Sequence, residues 1–168
     1  MTISMFDLSA PLFDRNLSYL SHVLKKGAAH AAATGMDEAA LIDARMAPDM
    51  FDFKRQVQTV TDHCKGALSR LTETTPPSWA DDETSFDALQ ARIAKARDFG
   101  AGFTRAQLDG TEEVRVEYPG PAGPIPFSGS DYLVNFVHPN LYFHLTTAYV
   151  ILRYHGVPLG KLDFFGRG

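Results

Sequence analysis

The sequence predicts an all-α fold: a four-helix bundle with a small β-hairpin or ordered loop before the last helix. Three observations carry this expectation. Four stretches repeat apolar residues at three-or-four spacing, the period of an amphipathic helix. The breaks between them hold prolines, glycines and capping residues. One stretch, Thr111 to Phe127, abandons that period for short alternation and turn residues. At 168 residues, one domain spanning 1–168 around one core is the expected organisation.

The first helix is expected over about Met5 to Ala32, where Phe6, Phe13, Leu17, Leu20, Leu24 and Ala31 form a stripe and Gly35 supplies a stop. "DEAALIDARM" reads as a short helical turn or two. Pro48 then breaks the pattern, and Asp49 or Asp52 can cap the next helix. That second long helix covers about Phe53 to Leu71, with Phe53, Val57, Val60, Cys64, Ala67 and Leu71 on one face, and "TETTPPSWADDETS" ends it. The third starts at Thr84 or Ser85, where Thr84 with Asp87 resembles a capping box. Its face holds Phe86, Leu89, Ile93, Ala96, Gly100 and Phe103, and the small Ala96 and Gly100 let a neighbouring helix come close. "VRVEY", "PGPAGP" and "IPF" then predict a short, peripheral hairpin, because prolines cannot donate to a ladder. Ser128 with Asp131 offers another capping box, opening a fourth helix at about Ser130 that ends at Gly156, with Pro158 beyond.

The fourth helix carries the most chemistry. On a 100° wheel Leu133, Val137, Asn140, His144, Ala148 and Ile151 share one face, expected to look into the core. Tyr132, Phe136, Tyr142, Phe143, Leu145, Tyr149 and Leu152 make its other faces nearly as apolar. Such a helix is either central and also covered by the hairpin, or packs its outer face on another chain. Asn140 and His144, one turn apart in a core, need partners, because unpaired buried polar groups are costly. His138 falls elsewhere on the wheel beside Pro139, and His155 lies on the order of 16 Å along the axis from His144. The facing candidate is His63 in "TVTDHCKGA". A histidine on one helix meeting an Asn-x-x-x-His pair on another can build a metal or substrate site in a bundle core. The alternative is that His63 is a partly exposed helix histidine and that His144 is satisfied by Asn140, a threonine or a tyrosine hydroxyl.

The remaining features are read as structural. Neighbours on a helix point about 100° apart, so Cys64 and His63 do not form a nucleophile–base pair, and Cys64 reads as a small core residue. Asp81, Asp82 and Glu83 read as a solvated face and cap. An ion pair of Arg45 and Asp49 around Pro48 is expected to pin that loop, and Trp79 to plug a bundle end. "LGKLDFFG", with Lys161 and Asp163, reads as a docking segment returning to the body.

Composition excludes several classes. Net charge of -4 argues against a protein built to grip phosphate backbones, so no nucleic-acid partner is expected. The single cysteine permits no intramolecular disulfide and fits a reducing compartment. The N-terminal residues lack the pattern of an export signal, and no apolar run reaches the roughly 18 residues of a membrane span. A cytoplasmic protein without a membrane partner is therefore expected. No phosphate loop, Ser-His-Asp set or basic stripe is present.

"ARMAPDMFDFKRQVQ", "DHCKGALSRL", "FDALQARIAKARDF" and "NLYFHLTTAYVILRYHGVPLGKLDFFG" together resemble the uncharacterised bacterial domain-of-unknown-function family nineteen ninety-three, of the DinB-like superfamily. The resemblance covers nearly the whole chain and implies an up-down-down-up four-helix bundle, often dimeric. It also implies, in relatives, a divalent metal held by a histidine on the second helix and a His-x-x-x-His pair on the fourth, with thiol-dependent transferase or isomerase activity in some. Counted back from the shared "LR-x-x-G" ending, His144 falls on the second histidine of that pair and Asn140 on the first. His63 matches the second-helix ligand approximately. Asparagine is a poor ligand for zinc or nickel, so weak or absent metal is expected, with His63 and His144 as the ligands if an ion binds.

Two function classes stay open. One is a DinB-like enzyme or enzyme relative that takes a small molecule in a pocket lined by His63, Asn140 and His144. The other is a non-catalytic homodimeric binding or structural protein in which those polar residues only fix helix register.

Overall fold

Asp52 opens the helix on which the site is built: its carboxylate accepts a hydrogen bond from the Arg55 amide at 2.9 Å, satisfying one of the free N–H groups of the first turn. In the computed structural model, which describes residues 3–167, this helix (α3) runs Phe53–Leu71. The ends of the expected 1–168 span lie outside the described residues. Phe53, Val57, Val60, Cys64, Ala67 and Leu71, the expected stripe, are all buried.

Three other long helices surround it. α1 runs Ala10–Thr34 and stops at Gly35, whose φ of 70° is the left-handed conformation that glycine adopts without penalty. It starts later than Met5 because Pro11 occupies its first turn; Met5 to Ser9 form bonded turns, with the Ser9 hydroxyl donating to Met5 O at 2.6 Å. A short α2, Glu38–Ile42, is capped by Asp37. α4 runs Phe86–Ala101; its cap is Ser85, accepting from the Ala88 amide, rather than Thr84. α5, Arg105–Leu108, is one capped turn.

The expected hairpin is β1, Arg115–Gly120, paired antiparallel with β2, Gly123–Ser128. Ser128 then caps a helical segment that begins as α6, Gly129–Asp131, widens into a π-helical turn over Tyr132–Val137, and continues as α7, His138–Tyr154. The wide turn has a cause in the sequence: Pro139 offers no N–H to the preceding turn and its ring crowds the carbonyl four residues back, and a π turn absorbs both effects. α8, Lys161–Phe164, closes the described chain.

α3 packs on α7 and α4, and α1 packs on α4. The buried apolar residues form one cluster drawn from all four long helices. The tail docks as expected. Asp163 is buried, accepts from Lys26 at 2.8 Å and from the Gly160 amide at 2.7 Å, and lies 3.1 Å from His22; these partners hold its carboxyl far below the usual carboxylate range. No helix is long and apolar enough to cross a membrane.

Three structural expectations need correction. Arg45 pairs with Asp52 at 3.4 Å, not with Asp49, because Asp52 sits at the helix cap toward which the loop folds. Trp79 does not plug an end. It lies along the flank of α3 and α4, edge-on to Phe99 and with the ammonium of Lys65 4.3 Å from its ring centre. The acidic loop is not simply solvated: Asp81 and Glu83 pair with the buried Arg92 at 3.0 and 2.9 Å, and Asp62 adds a third carboxylate at 3.0 Å.

Candidate functional site

His63 faces α7 from the middle of α3 because it lies one turn after Val60 and one turn before Ala67, at the edge of the buried stripe. His144 occupies the matching edge of α7. Both are buried, each 9% exposed, and their rings stack with centroids 5.9 Å apart and planes 22° from parallel. Phe51, in the loop before α3, stacks on the far side of His144 at 6.2 Å, and Phe136 meets His63 edge-on at 6.0 Å.

The proton on His144 can be placed from its neighbours. Gln56 donates its amide Nε2–H to Phe51 O at 3.1 Å, which turns its Oε1 toward His144. Oε1 lies 2.7 Å from His144 Nδ1 and can only accept, so Nδ1 carries the hydrogen and Nε2 keeps its lone pair. Burial lowers the pKa of His144, with the nearby Arg55 charge adding to the effect. His63 is pushed down to about 4, first by burial and then by the neighbouring His144. Both rings are therefore neutral at pH 7, and no hydrogen bond from a described residue engages the His63 ring.

Asn140 stands apart from this pair. It is half-buried, and its amide donates back to Phe136 O of its own helix at 2.7 Å. Leu141, Leu145, Ala148, Ile151 and Leu152 define the centre of the buried face, and Asn140 falls roughly 90° from it, whereas His144 lies about 50° from it. His138 is used structurally, bonded to Leu8 O at 2.8 Å. Burial pushes the Cys64 thiol up, which leaves it a protonated core residue.

On its other side α3 borders a cavity of about 290 Å³, which His63 lines together with Arg55, Thr59, Asp62, Lys65, Gly66, Arg70, Pro76 and Tyr118. The hairpin supplies Tyr118, whose ring packs 4.4 Å from Phe136. Gln56, Phe51, Arg55 and Arg70 were not apparent as site residues from the sequence. Gln56 had one available signal: it precedes His63 by two turns on the same face of the helix.

Among the described residues no group of three or more His, Cys, Asp or Glu side chains is placed to hold a metal ion. The pair offers two imidazole nitrogen donors. Asn140 is turned onto the backbone, and the nearest carboxylate, Asp62, is held by Lys65 at 2.8 Å and by Arg92. These donors do not fit the three-ligand arrangement of a catalytic zinc or nickel centre.

A family model described as Domain of unknown function (DUF1993) matches residues 5–165. Among solved structures, the chain is similar to a crystal structure of a DinB family member protein from Shewanella denitrificans, with 35% identity and a TM-score of 0.90. The match covers 96% of this chain and 91% of that one. No curated protein matches the chain.

Proposed function

Because the chain belongs to the DUF1993 family and is similar in fold to a DinB family member, we propose that it binds a small molecule at the His63–His144 pair, in an up-down-down-up bundle of DinB-like type. The observation that carries this reading is the unmatched hydrogen-bond capacity of the pair. Two buried histidines that only fixed helix register would be expected to have their ring nitrogens matched with core partners. Here Gln56 fixes one nitrogen of His144, and the other keeps its lone pair beside a second neutral imidazole. A neutral imidazole whose pKa is depressed is a weak base but keeps a hydrogen-bond acceptor, which suits holding the S–H of a low-molecular-weight thiol of the kind used by some DinB-like relatives. Asn140 lies at the margin of the pocket, where its amide contributes polarity and no ligand to a metal.

Any divalent ion is held weakly, by His63 and His144 with water completing its shell. Calorimetric titration with zinc and nickel, on wild type and His144→Ala, tests this. Weak binding that the substitution removes supports the reading; tight stoichiometric binding removed by it would replace the reading with a true metal centre. The buried, protonated Cys64 fits a cytoplasmic setting.

A second feature favours a homodimer, whether or not the pocket is catalytic. Met46, Met50, Pro139, Tyr142, Phe143 and Val150 line a groove of about 490 Å³ on the outer face of α7, together with two threonines and no charged residue. Phe143 is 58% exposed at its centre. A face without charges needs no complementary partner and can meet its own copy across a twofold axis.

A further inference from the structure

Arg70 is the one cation lining the α3 cavity that no carboxylate neutralises among the described residues. Arg55 pairs with Asp81, and Lys65 with Asp62 at 2.8 Å; Arg92 behind them takes Asp62, Asp81 and Glu83. Four cations thus share three carboxylates, and the surplus positive charge resides on Arg70. Its guanidinium is nonetheless held in place. Nη1 donates to the Tyr132 hydroxyl at 3.2 Å, and the Tyr118 ring lies 5.2 Å from its central carbon. The group also folds back over Gly66, one turn earlier on α3, where a Cβ would overlap it. A glycine in a helix interior costs about 1 kcal/mol relative to alanine. At this position it makes room for a charged fork at the cavity wall. The Nε–H and Nη2–H groups of that fork meet no protein acceptor among the described residues.

We propose that this cavity binds the carboxylate of a small monoanionic molecule, with Arg70 as its bidentate anchor. The inference rests on the reading of the neighbouring imidazole pair as a small-molecule site and names the chemical class of its ligand. A planar carboxylate matches two parallel N–H groups of a guanidinium, and one negative charge balances the one surplus positive charge. A phosphate dianion would leave the cluster with excess negative charge. The volume, about 290 Å³, is at the lower limit of small-molecule pockets, and Tyr118 and Pro76 supply an apolar wall, so the ligand is a carboxylate on a short apolar body. Bound there, its body extends along His63.

The test is a titration of the full chain with propionate, benzoate, propionamide and inorganic phosphate, read from the ¹⁵N resonances of the arginine side chains. Both carboxylates should bind saturably, propionamide should not, and phosphate should bind more weakly than either carboxylate. Arg70→Gln should weaken carboxylate binding about tenfold or more. Arg70→Lys keeps the charge without the fork and should fall between wild type and Arg70→Gln. Gly66→Ala, which favours the helix, should preserve the fold while displacing the guanidinium, and should weaken binding several-fold. That variant keeps the test decisive if Arg70→Gln fails to fold. Unchanged affinity in Gly66→Ala and Arg70→Lys, phosphate binding tighter than carboxylate, or no saturable carboxylate binding would each overturn the proposal. The zinc titration reads the imidazole pair separately, so loss of the carboxylate result alone leaves that reading standing.

Discussion

Acid should destabilise this fold through His63, and the structure sets both the direction and the size. The folded pKa of about 4 lies below the ordinary 6.5, so as pH falls the unfolded chain takes up the proton first and the folded state loses ground. The stability associated with neutral His63 is fully present above about pH 6.5, is lost between there and about pH 4, and changes no further below. At 1.36 kcal/mol per pKa unit the whole window amounts to about 3 kcal/mol, of which about 2 kcal/mol falls between pH 7 and about pH 4.5. His144, also held down by burial, acts in the same direction. Urea unfolding of wild type and His63→Leu at these two pH values isolates the contribution, since titrations common to both chains cancel. Wild type should lose about 2 kcal/mol more than the variant on acidification. Parallel losses in the two proteins would refute the reasoning, as would an NMR titration of His63 with a midpoint near 6.5.

Arg92→Met should cost about 2 kcal/mol and expose the loop before α4 to proteolysis, since it removes a buried guanidinium that ties Thr61, Asp62 and Glu83 to the Ala80 carbonyl. Unchanged cleavage of that loop would count against the arrangement. Gly27→Val should destabilise by about 2 kcal/mol in chemical denaturation, because even a Cβ there would lie 2.8 Å from Phe86 Cζ and 2.9 Å from Leu152 Cδ1; a variant as stable as wild type would contradict this packing. Sedimentation equilibrium should give twice the chain mass for wild type and the chain mass for Phe143→Glu, whereas a monomeric wild type at high micromolar concentration would remove the dimer.

Much of the fold was legible because local signals and burial agree. The α3 stripe, the Gly35 stop, the Ser128 cap and the hairpin each have a cause within a few residues of sequence. What was not legible depends on contacts between distant segments. Arg92 reads as an ordinary helix arginine until Asp62 from α3 and Glu83 from the loop converge on it. Trp79 follows the same cations to the flank of the bundle. At the candidate site, the sequence placed His63 and His144 on the helix faces where the structure brings their rings together. Asn140 lies at the edge of the buried face, because Leu145 and Leu152, read from sequence as lying on other faces, are buried and draw its centre about 50° away. Gln56 was hidden for a different reason: which end of its amide meets His144 is set by Phe51 O, a loop carbonyl that no side-chain pattern reveals.

His144 and His63 form a neutral pair with acceptor nitrogen to spare. Long-range ¹H–¹⁵N spectra of the histidine rings at pH 7, recorded before and during addition of zinc, test it directly. The account predicts a protonated Nδ1 and an unprotonated Nε2 on His144, a neutral His63, and a weak zinc response confined to those two rings. An imidazolium, a His144 protonated at Nε2, or saturation of both rings at one equivalent of zinc would contradict it.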